Sequence, residues 1–459
     1  MQKKFQRPLT EGPIGQRIFL FSVPIILSNL LQVIFNMSDI AVVGHFAGSS
    51  ALGAVGSTQQ LVALFTAFLI GMASGINVLV ARHFGAGHEK LLRQTVHTAF
   101  GLSLLLGIVL YLIGILVAKP ILVLFGTRQE LLGGALLYVR LFFIGMPAMA
   151  VYNFGSAVYD AIGNTKKPLQ FLALSGILNI GLNLFFVLVC HWDVAGVAVA
   201  SALSQLLAAI LIIRSLMHEE LESCRLSKEH FRIDRDIARS LLRLGLSSGF
   251  QTAIFPIANL FIQSGVNSFD STMVAGNAAA ANADSIVYDT MNAFYIACAS
   301  FMSQNYGARQ KARVLRSYLS SLAWSFGAGL VLGLSLAFAG PRFLGIFTTD
   351  PEVISAGMTR LRIMGFSYAF SAFMDCTIAA SRALGYTLVP TIIVIMGSCV
   401  FRILWIMTIF AHFHTIFSLY SLYIFSWSLT SLFEILYFVR IWKRIYGTGD
   451  LAMQTNAHS

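Results

Sequence analysis

Charge is what this chain has least of. Only 11% of its 459 residues are Asp, Glu, Lys or Arg, where soluble proteins average about 25%. The longest clearly polar interior stretch is 218–239, so no soluble domain of useful size fits. Five cysteines (Cys190, Cys224, Cys298, Cys376, Cys399) are scattered without metal-ligand spacing. Four lie in or beside apolar segments and read as small buried hydrophobes. No Walker sequence, His-Glu-x-x-His or Gly-x-Ser-x-Gly is present, which argues against an ATP motor or a hydrolase of those kinds. Gly85-Ala86-Gly87 has no strand before it and reads as a helix cap, not a nucleotide loop. The net charge of +11 sits in short loops flanking apolar runs, and nucleic acid is not an expected partner. The N-terminal hydrophobic run from Ile18 has no small-residue cleavage pattern and contains Asp39, so we read it as a retained first helix.

What is abundant is apolar sequence: 57% of residues, with a mean hydropathy of +0.75. Runs of about 20 apolar residues, each enough to cross a bilayer as a helix, recur throughout. We expect twelve helices, at roughly 16–43, 51–81, 95–118, 134–159, 168–190, 194–216, 241–268, 272–303, 314–339, 357–381, 388–411 and 414–442.

The chain also repeats itself. Ala161-Ile-Gly-Asn-Thr-Lys-Lys-Pro168 returns as Ala383-Leu-Gly-Tyr-Thr-Leu-Val-Pro390, an offset of 383 − 161 = 222. The same offset carries Phe84-Gly85-Ala86 onto Tyr306-Gly307-Ala308, and Phe125, Thr127, Glu130 and Arg140 onto Phe347, Thr349, Glu352 and Arg362. The expected fold class is an all-α polytopic membrane protein. Its twelve transmembrane helices form two six-helix lobes related by a pseudo-two-fold axis along the membrane normal. The expected division is an N-terminal lobe 1–217, a cytoplasmic linker 218–240, a C-terminal lobe 241–446 and a cytoplasmic tail 447–459.

Basic residues fix the expected orientation. One face collects Lys3, Lys4, Arg7, Arg17, Arg82, Lys90, Arg93, Lys166, Lys167, the arginines and lysine from Arg214 to Arg243, Arg309, Lys311, Arg313, Arg316, Arg382, Arg440, Lys443 and Arg444. The other has only Lys119, Arg128, Arg342 and Arg360. The excess marks the first face as cytoplasmic, with both termini inside.

A carboxylate at bilayer depth costs roughly 2.5–3.5 kcal/mol on insertion scales and should face a cavity or a partner. Helix 1 carries Asn29, Gln32, Asn36 and Asp39, spaced 3, 4 and 3, all on one face. This stripe reads either as a hydrated cation- or proton-binding surface or as an interhelical hydrogen-bond seam. Asp39 is the candidate for function, since a carboxylate is the costlier group to bury. Asn179, Asn183 and Ser201 complete either an oxygen cage for Na⁺, a network around a protonated Asp39, or plain packing. In the second half the acidic candidates are Asp284, Asp289, Asp375 and Glu434, with Asp289 equally readable as structural. Gln32, Asn153, Asn259 and Gln263 are the polar residues expected in a cleft, and Gln251, Tyr288 and Asn292 accompany them. Under the repeat, Asn153 maps onto Asp375 and Asp160 onto Arg382.

Pro24, Pro147 and Pro256 are expected to interrupt helices 1, 4 and 7. Gly71-x-x-x-Gly75 reads as a close helix contact. Among 37 Phe and 15 Met, some would line a cleft suited to flat cations. His412-x-His414 reads as two surface histidines in a turn.

Several stretches stand out together: Pro24-Ile-Ile-Leu-Ser-Asn-Leu-Leu-Gln32, Asn36, Asp39, Val43-Gly44, Ala51-Leu-Gly-Ala-Val-Gly56, Phe84-Gly85-Ala86, Gln263-Ser-Gly-Val-Asn-Ser-Phe269, Ser303-Gln-Asn-Tyr-Gly-Ala308 and Arg382-Ala-Leu-Gly385. With them the chain resembles the multidrug and toxic compound extrusion (MATE) family, in its prokaryotic DNA-damage-inducible branch. The likeness covers about residues 10 to 445. It implies export of drugs and other organic cations in exchange for H⁺ or Na⁺, by two lobes around a V-shaped cleft. Asp39 falls on the family's helix 1 aspartate, the coupling candidate, and Asn179 matches a family asparagine. Asn183 stands where that branch often has aspartate, and Ser201 where it often has threonine. The missing carboxylate weakens a Na⁺ cage and favours H⁺. Gln251 lies near a helix 7 glutamate of some members, and Asp375 matches an acidic helix 10 position used for cations elsewhere in the family.

The expectation is therefore a monomeric secondary antiporter of the bacterial cytoplasmic membrane, not an enzyme. It would have no cofactor beyond the transported H⁺ or Na⁺, and its partners would be a small organic cation and the lipid bilayer. Two other readings stay open. A flippase for a lipid-linked precursor would need several Arg or Lys in its cleft, and only Arg140, Arg362 and Arg402 are expected near helix interiors. A receptor or assembly scaffold would carry out no transport.

Overall fold

The structure, a computed structural model, describes residues 9–447. Lys3, Lys4 and Arg7 and the expected tail from residue 448 lie outside the described residues. The described chain is helical and contains no strand. The long helices are α1 (Ile14–Val42), α2 (Gly48–Ala86), α3 (Glu89–Leu124), α4 (Gln129–Ile144), α5 (Met146–Ile162), α6 (Lys166–Leu184), α7 (Asp193–Met217), α8 (Arg235–Val266), α9 (Ser271–Gly307), α10 (Lys311–Leu344) and α11 (Pro351–Ala383). The short helices α12 (Leu388–Ile395), α13 (Phe401–Trp405) and α14 (Ala411–Phe413) are joined end to end by π-helical turns, and α15 (Ile416–Tyr446) follows. Nine helical stretches among the described residues are long and apolar enough to cross a membrane, or ten if the α4–α5 pair counts as one span. Of the long helices, α8 and α9 miss that composition while having 32 and 37 residues. They carry many of the polar residues of the second half, among them Gln251, Gln263, Asn277, Asp284 and Asp289.

The repeat is written in the helix boundaries. Helices begin at Glu89, Gln129 and Lys166, and again 222 residues later at Lys311, Pro351 and Leu388. The glycine of the repeated octapeptide closes its helix in both copies with a left-handed backbone, φ 91° at Gly163 and 93° at Gly385. Glycine takes that conformation without a Cβ clash.

Two of the three expected proline interruptions are absent. Helices α1 and α8 run through Pro24 and Pro256. At the third, α4 and α5 meet at 47°, with Gly145 ending one helix and Pro147 seated in the first turn of the next. A proline there lacks only an N–H that had no partner anyway. The Gly85-Ala86-Gly87 segment is a helix cap, as expected: Gly87 is left-handed and its N–H reaches the His83 and Phe84 carbonyls.

The described helices form two compact units. One is Phe21–Ile257; the other combines Leu9–Leu20 with residues 258–447. Both boundaries fall inside helices, in α1 and in α8. Within the first unit, apolar side chains of α2, α3, α4, α5 and α7 form one buried cluster that includes Leu61, Phe65, Leu122, Val139, Phe143 and Val197. In lipid such packing is held by dispersion and close approach more than by water exclusion. Gly71 and Gly75 serve this: a Cβ would come within 2.3 Å of Thr252 Oγ1 at the first and 2.6 Å of the Gly245 nitrogen at the second. The polar stretch 218–239 is docked on this unit. Lys167 Nζ binds Glu219 at 2.7 Å, Arg93 binds Glu222 at 3.1 Å, and the Ser227 N–H donates to His97 Nε2 at 3.1 Å.

The arginines are redistributed relative to expectation. Arg140 and Arg362, expected near helix interiors, are exposed. Arg360 and Arg382, counted among the basic residues of the two membrane faces, are buried at 5% and 2% exposure, alongside Arg402. The cause at Arg360 is a helix that begins earlier than its hydropathy suggests. Asp350 caps α11 by accepting from the Glu352 N–H at 2.9 Å, and Pro351 is the first residue. Arg360 is then nine residues into the helix, about 13 Å along its axis.

Candidate functional site

A cavity of about 560 Å³ lies within the first unit, a size suited to a drug-like molecule. Its wall includes Gln32, Asn36 and Asp39 of α1, Tyr138 and Phe142 of α4, Tyr152 and Asn153 of α5, Asn179 of α6, and Ser201 and Gln205 of α7. The helix 1 stripe therefore faces a cavity rather than lipid. Asn29 is not part of this wall.

Asp39 is held by neutral donors. Asn183 Nδ2 donates to its Oδ1 at 2.5 Å and Ser201 Oγ to its Oδ2 at 3.3 Å. Asn183 Nδ2 also reaches Asn179 Oδ1 at 3.2 Å, and Asn179 Nδ2 reaches Ser201 Oγ at 3.5 Å. The four side chains close a ring across three helices. Asn183 Oδ1 is buried without a hydrogen-bond partner. Among the described residues the cavity wall contains no Lys, Arg or His, and Asp39 is its only carboxylate. Among the described residues no basic side chain is ion-paired to Asp39. A carboxylate has about four acceptor positions, so two hydrogen bonds leave room for a proton or a small cation. Among the described residues no cluster of three His, Cys, Asp or Glu is placed to hold a metal.

The ring depends on how α1 meets α6. A Cβ at Gly176 would lie 1.8 Å from Phe35 Cε2, so the Phe35 ring occupies the space that glycine leaves. One turn beyond Phe35 is Asp39, and two turns beyond Gly176 is Asn183. The bare backbone at Gly176 thus sets the height and closeness at which the two meet. Both helices then pass into π-helical turns, Val43–Ala47 after α1 and Phe185–Val189 after α6, and these turns pack on each other. A π turn inserts one residue into the helical ladder and is frequent at functional sites.

The other expected residues fall in different surroundings. Asn153 lines the cavity and donates to the Met149 carbonyl at 2.9 Å. Asn259 and Gln263 belong to the second unit, both exposed; Gln263 Nε2 donates to Asn267 Oδ1 at 2.8 Å. Gln251 is buried in the first unit, and Tyr288 is 43% exposed.

In the second unit the four candidate carboxyls are not alike. Asp284 is ion-paired to Arg360 and accepts from Tyr368 Oη. Arg360 also donates to Asn277, which accepts from Tyr420 Oη at 2.7 Å. Asp289 and Asp375 are part-buried, the latter in the electrostatic neighbourhood of Arg382 and Arg402. Glu434 is fully buried, and neither of its oxygens has a hydrogen-bond partner. Arg382 instead donates to Tyr295 Oη, and Arg402 donates to Ser426 Oγ at 3.1 Å and lies over the Tyr423 ring.

Sequence reasoning missed Tyr138, Gln205 and Gly176 in the cavity wall. Gln205 had a usable signal: it stands four residues after Ser201 in a largely apolar stretch of α7, on the same face. Gly176 had none, because a glycine's role depends on the ring it faces.

A family model described as MatE matches residues 24–185 and 248–438. The chain is 27% identical over 391 residues to the "Probable multidrug resistance protein YoeA" of Bacillus subtilis, covering 84% of each chain. It is 24% identical over 362 residues to the "FAD transporter" of Shewanella oneidensis, covering 76% of this chain and 78% of the other. Among solved structures it is similar to MATE in complex with MaL6, with a TM-score of 0.89 at 21% identity, covering 98% of this chain and 100% of that one. That likeness shows the fold.

Proposed function

The chain belongs to the MatE family, a family of membrane transporters and not enzymes, and on that premise we propose that it exports organic cations in exchange for H⁺, with Na⁺ as the alternative ion. Its substrates are small molecules and it is a multi-pass membrane protein. The reading places it in a bacterial cytoplasmic membrane with both termini inside, as the basic loops favour. Its halves act as the two lobes of an alternating-access device.

The observation that carries the reading is Asp39 in the cavity wall, tied to Asn183 and Ser201 and to no cation. Asn36 and Asn179 complete the polar surroundings. In the outward-facing state Asp39 takes a proton and loses its charge. The ring through Asn179, Asn183 and Ser201 rearranges, affinity for a cationic substrate falls, the substrate leaves and the lobes turn inward. An ion drives such a cycle only through different affinities in the two states. The Phe35, Tyr138, Phe142 and Tyr152 rings in the wall offer apolar contact and cation–π attraction to a flat cation. Gln32 and Asn153 supply hydrogen bonds. Of the four acidic candidates in the second unit, Asp375 and Glu434 make no ion pair among the described residues and offer a further coupling route; Asp289 is a weaker candidate and Asp284 is occupied by Arg360.

Flavin dinucleotides and lipid-linked precursors are anions and would call for basic groups. Among the described residues the cavity wall has none, which favours a cation over the cargo named for the Shewanella relative and over a flippase. The test is ethidium efflux from energised vesicles under a proton gradient alone and under a sodium gradient alone. Efflux under neither gradient would remove the antiport reading.

A further inference from the structure

A second cavity, of about 260 Å³, lies in the other unit, where the start of α1 meets α10. Gly12, Pro13 and Ile14 form one side, and Arg313, Arg316, Leu319 and Ser320 the other. It is framed by two fastenings. At its upper end the Arg313 guanidinium donates to the Gly12 and Glu11 carbonyls at 3.0 and 3.1 Å and to Asn305 Oδ1 at 3.1 Å. At its lower end Trp324 Nε1 donates to the Gly15 carbonyl at 3.0 Å. Arg313 and Trp324 are eleven residues apart on one helix, about 16 Å, and the cavity opens between them.

The upper rim is strongly cationic. Arg316 stands one turn after Arg313, is exposed, and makes no ion pair or hydrogen bond among the described residues. The Arg17 guanidinium lies against Gly12, so close that a Cβ there would sit 2.6 Å from its Nε. Among the described residues three guanidiniums thus gather here, with Glu11 the carboxylate that acts on Arg313. The first turns of α1 and α10 contain no acidic residue, so the positive ends of two helices add to the same field. The lower rim is apolar and faces outward. Phe19 and Trp324 are each 40% exposed with ring centroids 4.9 Å apart, and Leu20 and Leu319 are 60% and 51% exposed. Both helices have membrane-crossing composition.

We propose that this cavity is a binding site for an anionic phospholipid. The phosphate sits at Arg316, with Arg313 and Arg17 beside it, and an acyl chain runs down along Leu319, Phe19 and Trp324. A cationic pocket at the start of α10, about 16 Å along the helix from an exposed tryptophan in its interior, matches the two halves of such a lipid. A soluble phosphate would use the upper rim alone and leave the aromatic surface uncovered. The site is separate from the transport cavity and does not depend on the transport reading.

The test is native mass spectrometry of the purified full chain in detergent, with dioleoyl phosphatidylglycerol or dioleoyl phosphatidylcholine added. The wild type should retain phosphatidylglycerol over phosphatidylcholine. Arg316→Gln should lower phosphatidylglycerol retention roughly five-fold, the worth of one surface arginine near anionic lipid, and Arg316→Lys should keep most of it. Arg362→Gln, at an exposed arginine on α11, should match the wild type, and millimolar glycerol phosphate should not displace the lipid. Equal retention of the two lipids, wild-type retention by Arg316→Gln, an equal loss in Arg362→Gln, or displacement by glycerol phosphate would each overturn the site. If Arg316→Gln is not recovered as folded protein, Ser320→Leu decides. It fills the cavity without changing charge, and undiminished retention there would overturn the proposal equally.

Discussion

Arg360 of α11 is bonded to Asp284 of α9, and this pair separates one part-buried carboxylate from the rest. Asp284 has a guanidinium for its charge; Asp39, in the other unit, has only an amide and a hydroxyl. A paired carboxylate has little reason to change its proton or cation during a cycle. An unpaired one in a cavity wall is free to do so.

Removing one partner of a buried pair strands the other, at about 3–5 kcal/mol. Asp284 keeps 27% of its side chain exposed, so Arg360→Met should fall near the lower end, about 3 kcal/mol. The double variant Arg360→Met with Asp284→Asn should recover most of the loss. Thermal unfolding in detergent measures both, and a wild-type midpoint for Arg360→Met would show the pair to be idle.

Asp39→Asn keeps the size and hydrogen-bonding reach of the side chain but cannot take up a proton or a charge. Gradient-driven ethidium efflux should drop at least about ten-fold, equivalent to about 1.4 kcal/mol in the driving step, while the unfolding midpoint stays near wild type. Full efflux in vesicles by this variant would take Asp39 out of the mechanism.

Asn183→Asp places a second carboxylate against the first. Two acids at hydrogen-bonding distance attract a hard cation through oxygen ligands. Sodium should then stabilise the variant against choline at equal ionic strength, by about 2.7 kcal/mol when the ion is at 100 times its dissociation constant. An identical response to both salts would show that this ring cannot be converted to a sodium site.

Gly176→Leu should separate α1 from α6, because Phe35 occupies the place its side chain needs. Overpacking of this kind costs about 1–3 kcal/mol. Efflux should fall with it, since the Asp39–Asn183 hydrogen bond spans the same two helices. A relieving second change, Phe35→Ala, should restore part of both. If stability falls and efflux does not, the seating of these helices does not govern the ring.

Much of this protein is legible along the chain. Hydropathy runs mark the helices, and the 222-residue offset predicts helix starts that recur at Glu89 and Lys311, Gln129 and Pro351, Lys166 and Leu388. The spacing of Gln32, Asn36 and Asp39 puts them on one face, because helical geometry is local. Asp350-Pro351-Glu352 was a readable helix start that the apolar pattern alone passed over, and with it the burial of Arg360.

Partnership is not local, and there periodicity stops helping. Asp39 and Asp284 are both acids within long helices, and nothing in their flanking residues says that one meets an arginine and the other an asparagine. Asp39 is 144 residues from Asn183 and 162 from Ser201; Asp284 is 76 from Arg360. Composition and periodicity are summed over neighbours in the chain, so they establish that the protein is helical, duplicated and membrane-embedded. Which acid keeps its charge uncompensated, and whether a glycine admits a ring, follow from the packing of helices remote in sequence, where one missing Cβ sets a contact.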